Sequence, residues 1–382
     1  MGNFKKILLV CLLIFAVFVV GGIGGIVIRD RFIPYLVSSF PAVARSDFLR
    51  SLQGNVTVVE RTEQMVVRED DSVDAIVSQP STAVVNIIPS GDGEDAKNRT
   101  GVLLTNDGLI VTSGTLSVPE RKPGSITYHA LLHDGTSQEA VLVGEDPLTD
   151  LVFFRIQGNA FPAIAIANSD DSTPGKKLVA IGNAYEEYQN RFSIGVLSNL
   201  NKLFNLSGKT VASSEKWEGV FEADLANAGA YVGGPAVNFR GEMIGLFGIV
   251  VMDGQEKPYL LPSNEVRESM QRAVAGTLVT RPVLGVYYRT LTKAYAIAGG
   301  DGTRDRGALV FSPSGKTGLT VLSGSPADKA GIRFGDIIIA VNGSEINLDN
   351  PLSVAIGRLS KGEKLQLTVI RDGKETNVSV QL

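Results

Sequence analysis

Cysteine is almost missing from this 382-residue chain, and a single Cys11 leaves no partner for an internal disulfide. Histidine is nearly as scarce. With only His129 and His133, and no paired cysteines, no zinc-ligand spacing exists, so neither a metal nor a cofactor is expected. An excess of one charge is also lacking. The 36 Lys and Arg stand against 40 Asp and Glu for a net charge of −4, and the basic residues are scattered rather than clustered, which excludes the electrostatic footprint of a nucleic-acid binder. What remains is ordinary globular material, 44% hydrophobic and 20% charged, long enough for two folded domains with their own cores and an appendage.

The appendage is N-terminal. Ile7 to Ile28 holds no charged residue, between Lys5-Lys6 and Arg29-Asp30-Arg31. That run has the roughly 20 residues a bilayer-spanning helix needs. It exceeds the h-region of a cleaved signal peptide, and Ala42-Val43-Ala44 lies too far downstream to be its cleavage site. The expectation is a cytoplasmic N-terminus over 1–6, a transmembrane signal anchor over 7–28 with the lipid bilayer as its partner, and a stalk over 29–71. Basic residues flank the run equally, so charge bias does not orient it. The stalk aromatics Phe32, Tyr35 and Phe40 fit linker contacts and an oligomerisation surface equally well.

From Ser72 short apolar runs alternate with turn signals: Ala83 to Ile88, Leu109 to Thr112, Leu151 to Ile156, Leu178 to Ile181 and Met243 to Val251 among them. With Asn106-Asp107-Gly108 and His133-Asp134-Gly135 as hairpin turns, this spacing predicts an all-β barrel or sandwich in two halves. Ser263 is the expected N-cap of a closing helix that buries Val266, Met270 and Val274.

One stretch carries chemistry by what it omits. Ala223 to Asn238 reads Ala-Asp-Leu-Ala-Asn-Ala-Gly-Ala-Tyr-Val-Gly-Gly-Pro-Ala-Val-Asn. It resembles the nucleophile loop of the HtrA/Deg family of trypsin-like serine proteases, Thr-Asp-x-x-Ile-Asn-Pro-Gly-Asn-Ser-Gly-Gly-Pro-x-Val-Asn. Laid on that pattern, the catalytic serine falls on Val232, whose isopropyl group has no oxygen for acyl transfer. The strand-turn-strand from Gly101 to Thr112 matches too, but the family's Asn-Asn-His-Val is Ser113-Gly114-Thr115-Leu116, and the histidine falls on Thr115, which has no titration near neutral pH. Glu145-Asp146-Pro147-Leu148-Thr149-Asp150-Leu151 keeps the triad aspartate as Asp150, for which buried hydrogen-bond partners are expected. His129 and His133 are read as exposed turn residues. The family's oxyanion loop is Ala230-Tyr231-Val232, so the glycine-dependent shape that aims two donors inward is not assured. Two readings of Tyr231 stand: it fills the former cleft, or a family-like backbone persists with nothing to do.

From Arg281 onward Ser325-Pro326-Ala327-Asp328-Lys329-Ala330-Gly331-Ile332, then Phe334-Gly335-Asp336-Ile337-Ile338 and Val341-Asn342-Gly343, resemble a PDZ domain. Leu284-Gly285-Val286 matches the loop whose N–H groups receive a peptide's terminal carboxylate, and Phe311 to Leu319 is longer than the pattern. The fold expected is mainly β: a trypsin-like double β-barrel over 72–280, then a PDZ domain over 281–382, with an N-terminal transmembrane helix. The resemblance implies a membrane-anchored pseudoprotease rather than an enzyme, with its folded domains outside the cytoplasm. It would bind unfolded or C-terminal peptide segments in envelope protein quality control. A homotrimer, a regulatory subunit in a hetero-oligomer with an active homologue, a residual serine-type endopeptidase and a purely structural envelope protein remain the rival readings.

Overall fold

The computed structural model describes residues 69–91, 98–114, 126–183, 189–209, 211–252, 254–299, 304–312 and 319–382. The apolar run 7–28 lies outside the described residues, as does the stalk up to residue 68. Among the described residues no helix is long and apolar enough to cross a membrane, so the transmembrane helix expected from the sequence finds no support in them. Helix α1 (Glu69–Ser78) begins inside the stretch read as stalk.

Seven strands form the first sheet: β1 (Val84–Gly91), β2 (Arg99–Leu103), β3 (Leu109–Ser113), β4 (Ile126–Leu131), β5 (Ser137–Glu139), β6 (Val141–Asp146) and β7 (Leu151–Arg155), in the order β5-β4-β1-β2-β3-β7-β6. The apolar runs in β2, β3 and β7 do not alternate with polar residues, and these strands are buried along nearly their whole length, which is why both Phe153 and Phe154 sit in the core. Gly108 and Gly135 turn the hairpins predicted around them, with positive φ in each.

A closed barrel follows, made of β8 (Lys177–Gly182), β9 (Arg191–Asn205), β11 (Glu218–Asp224), β12 (Pro235–Val237), β13 (Met243–Met252) and β14 (Gln255–Pro262), with the short β10 (Ala212–Ser213) outside it. Helix α2 (Ser263–Ala275) then crosses back. Ser263 is its first residue rather than its N-cap: its hydroxyl donates to the Ala167 carbonyl, and no side chain caps the helix. Val266 is buried as expected, whereas Val274 is 64% exposed. The inward position next to Met270 belongs to Ser269, whose hydroxyl donates to Asp146.

The C-terminal sheet runs β10-β15-β16-β17-β19-β20, with β15 (Tyr287–Thr290), β16 (Ala308–Val310), β17 (Ile337–Val341), β19 (Lys364–Arg371) and β20 (Lys374–Gln381), while β18 (Ser344–Glu345) pairs with β17. Helix α3 (Lys293–Ile297), α4 (Pro326–Lys329), capped by Ser325, and α5 (Leu352–Gly357) complete it. Three hydrophobic clusters form among the described residues instead of the two expected cores: one joins the first sheet to one side of the barrel strands, a second gathers the remaining barrel residues, and the third belongs to the C-terminal sheet. Val354 of α5 packs into the first cluster, so the C-terminal domain is seated on the N-terminal one.

That junction contains a buried carboxylate. Glu218 is 3% exposed, accepting from the Tyr288 hydroxyl at 2.7 Å and the Thr290 hydroxyl at 2.7 Å, with no cation among these partners. Burial pushes its pKa up to about 7 from 4.5, against the two hydrogen bonds that hold it down. A carboxyl with a raised folded pKa stabilises the native state below its unfolded pKa, and that contribution is lost as pH rises through the folded value. Between pH 4.5 and 7 the native chain is therefore expected to lose roughly 3 kcal/mol relative to Glu218→Gln, at 1.36 kcal/mol per unit. Urea midpoints of both chains from pH 5 to 8 check this; parallel curves would show that Glu218 does not titrate in this window.

Candidate functional site

The loop from Asp224 to Val237 is shaped by two glycines that nothing else could replace. Gly233 has φ +83°, and a Cβ there would lie 2.2 Å from the Thr100 carbonyl; one on Gly234 would lie 2.0 Å from that of Ile181. The loop thus presses onto β2 and β8, pinned by Gly233 N–H donating to Phe247 O at 2.8 Å and Phe247 N–H to Gly234 O at 2.9 Å. From Ala230 to Val237 only Val232 is part-exposed. Its isopropyl group is what this turn offers to solvent where the sequence pattern calls for a hydroxyl.

Asn227, in the left-handed conformation at φ 55°, turns the chain into a 3-10 segment over Ala228–Tyr231. In that turn Ala230 N–H donates to Asn227 O at 2.9 Å, so one of the two backbone donors an oxyanion would need is spent inside the loop. Tyr231 does not fill a cleft. It is 4% exposed, joins the barrel core with Leu178, Leu197 and Phe221, and lies 6.1 Å from the Phe247 ring centre to centre.

Asp150 sits at the start of β7 with φ 57°. Its carbonyl accepts from Gly114 N–H at 2.9 Å, which ties it to the end of β3. Its carboxylate is partnered, as expected, but by Lys216: Nζ donates to Oδ1 at 2.5 Å. Burial pushes the Asp150 carboxyl up and Lys216 pulls it back down. Tyr259 is close enough to feel the Asp150 charge and hydrogen-bonds Ser113, and burial raises its hydroxyl far above the ordinary range. Thr115 lies outside the described residues. Lys216 is 66 positions from Asp150, and no local pattern marks it. Of the two histidines, His133 is exposed at its turn, while His129 lies within β4 and is part-buried.

The second constellation is the loop before β15. Leu284 and Val286 are buried, and Gly285, at φ +86°, has Ser325 2.3 Å from where a Cβ would stand, so the backbone turns tightly with its N–H groups facing one way. Leu284 N–H and Gly285 N–H donate to one carboxylate oxygen, Glu215 Oε1, at 3.1 and 2.8 Å. The segment Phe311 to Leu319 is described only at its two ends, since 313–318 lie outside the described residues.

Comparison with known proteins bears on both constellations. Residues 99–246 match the trypsin-like peptidase domain and residues 282–382 the PDZ domain. A probable periplasmic serine endoprotease, DegP-like, of Chlamydia trachomatis is 30% identical over 293 residues, 75% of this chain and 54% of that protein. The chain thus spans about half the length of that relative. The putative serine protease HhoA of Synechocystis is 27% identical over 354 residues, 91% of this chain and 85% of HhoA. Among solved structures the HtrA-type protease AlgW with tripeptide superposes with a TM-score of 0.62 at 24% identity, covering 80% of this chain and 95% of AlgW, which shows a shared fold.

These relatives overturn the expectation that the chain is not an enzyme. They are named serine endoproteases and serine proteases, which points to the protease class rather than to a non-enzyme. That expectation rested on Val232 and Thr115 alone; the fold also places the Lys216 ammonium on Asp150. Residues 99–246 therefore form a trypsin-like peptidase domain and residues 282–382 a PDZ domain, in a chain similar to DegP-like and HhoA serine proteases.

Proposed function

We propose that this protein works in envelope protein quality control as an HtrA-type protease-family member, holding unfolded or C-terminal peptide segments in the groove of its PDZ domain. The run 7–28 would anchor it, with the peptidase domain over 72–280 and the PDZ domain over 281–382 on the extracytoplasmic side. The supporting observation is the loop Leu284-Gly285-Val286, in which two backbone N–H groups converge on a carboxylate oxygen. Beside it runs β15, paired with β16 on one side and with the two-residue β10 on the other; an extended segment taking the place of β10 would add there as a strand, main-chain bonds giving affinity and side-chain pockets selectivity.

The names of the relatives favour endopeptidase activity, and the residue at 232 restricts its chemistry. Since valine forms no acyl intermediate, peptide-bond cleavage here requires a nucleophile from elsewhere than residue 232. Asp150 with Lys216 is the charged pair that the fold places in this region.

Carboxylate recognition is tested by fluorescence polarisation on the full chain in detergent, using a labelled peptide ending in Val-Ala-Ser-Ser. The free acid is expected to bind at least about tenfold tighter than the C-terminal amide, since the N–H pair gains a charge-assisted bond from the acid alone. Equal affinities would sink the assignment of Leu284-Gly285-Val286 as a carboxylate site.

A further inference from the structure

We infer that the PDZ groove is already held by a segment of the same chain, Val211 to Glu215, which copies a bound peptide. The inference rests on the groove being a peptide site, as proposed above. The segment leaves the barrel after β9, and its residues from Val211 to Ser214 are all buried. Ala212 packs in the core cluster of the PDZ domain, not in either cluster of the peptidase domain.

Its backbone runs antiparallel to β15, with Ala212 opposite Tyr288 and Ser213 opposite Tyr287. One residue further, Ser214 N–H donates to Val286 O at 3.0 Å, and Val286 N–H donates to Ser214 Oγ at 3.0 Å. The segment then ends on the loop: the Glu215 carboxylate accepts from Leu284 N–H and Gly285 N–H, and from the hydroxyls of Ser213 at 2.8 Å and Ser214 at 2.6 Å. Strand direction, register and terminal carboxylate are those of an added peptide, the side chain of Glu215 standing where a chain end would.

Being tethered, the segment competes at an effective concentration on the order of millimolar, with no diffusional cost. An external peptide enters only by exchange with it. The groove therefore selects partners that offer a carboxylate behind small residues, as Ala212-Ser213-Ser214-Glu215 does.

The register supplies the test. Ser214 opposite Val286 is a hydrogen-bonded position, so Ser213 opposite Tyr287 is a non-hydrogen-bonded one, where Cβ atoms lie closest. In the full chain with Cys11→Ser, the pair Ser213→Cys and Tyr287→Cys is expected to form a disulfide under mild oxidant, and the shifted pair Ala212→Cys and Tyr287→Cys is not. Closing the bond should weaken binding of a labelled Lys-Thr-Val-Ala-Ser-Ser-Glu peptide, copied from residues 209–215, by at least about tenfold. Glu215→Ala, which needs no disulfide, should strengthen it by a similar factor. No closure, closure by both pairs alike, or an unchanged affinity in Glu215→Ala overturns the inference. If the on-register pair closes and the peptide binds neither that chain nor Glu215→Ala, the occupancy stands and the peptide-capture reading falls.

Discussion

Thr115→His with Val232→Ser is expected to raise turnover of unfolded casein by the full chain at least about 100-fold over its native rate. Serine at 232 restores an oxygen nucleophile on the one part-exposed residue of a stretch otherwise buried from Ala230 to Val237, and histidine at 115 restores a base. The backbone of Asp150 is already fixed, through Gly114 N–H on its carbonyl and its own N–H on Asp146 O. Two features limit the gain. Lys216 occupies the Asp150 carboxylate, and Ala230 N–H is committed to Asn227 O. Adding Ala230→Gly, which frees the turn to re-aim that donor, is expected to contribute a further increase of about tenfold or more, since one oxyanion donor is worth roughly 100-fold or more. The measurement is release of labelled fragments by native, double and triple variants, each carried through the same purification. Equal rates in all three would mean that hydrolysis does not pass through residue 232, and Lys216→Met would then be the variant to assay.

The largest stability effect is expected at Arg281, one residue before the stretch that matches the PDZ domain. Its guanidinium is 6% exposed and the Asp146 carboxylate is fully buried. Nε donates to Oδ1 at 3.0 Å and Nη2 to Oδ2 at 2.5 Å, while Nη1 reaches the Gly357 carbonyl at 3.0 Å and Glu268 at 2.9 Å. Ser269 Oγ and Leu148 N–H satisfy the remaining capacity of Asp146. Arg281→Ala strands that carboxylate in the core and cuts the bond to α5, for an expected loss of about 3–5 kcal/mol. Arg281→Met with Asp146→Leu removes both charges and should recover most of it, because a buried ion pair is costly to break but cheap to replace as a pair. Urea denaturation of the three chains checks both statements; a double variant no more stable than Arg281→Ala would show that the bonds to Gly357 and Glu268, not the ion pair, hold the junction.

Much of the architecture was legible because its signals are local. The unbroken apolar runs of β3 and β7, the Asp-Gly turns at Gly108 and Gly135, and the Ser325-Pro326 cap of α4 each specify a conformation within a few residues. Gly233-Gly234 and the missing oxygen at Val232 belong to the same class, since covalent identity needs no fold to be read. The misread features depended on direction or on distant partners. Ser263 is a plain example: its residue type suits an N-cap, but a carbonyl 96 positions away claims its hydroxyl.

The sequence by itself determined which side chains exist and the strand and turn pattern, because short-range sterics and apolar periodicity act between near neighbours; the two domain types came from the resemblance of its motifs. Only the tertiary structure decided that Lys216 meets Asp150, that Glu215 meets the loop 70 positions on, that Arg281 meets Asp146 135 positions back, and that Tyr231 turns into the core. These are pairings across loops and between domains. A charge or an N–H takes whichever partner the closed chain brings within about 3 Å, and nothing in the spacing of residues along the chain encodes that distance.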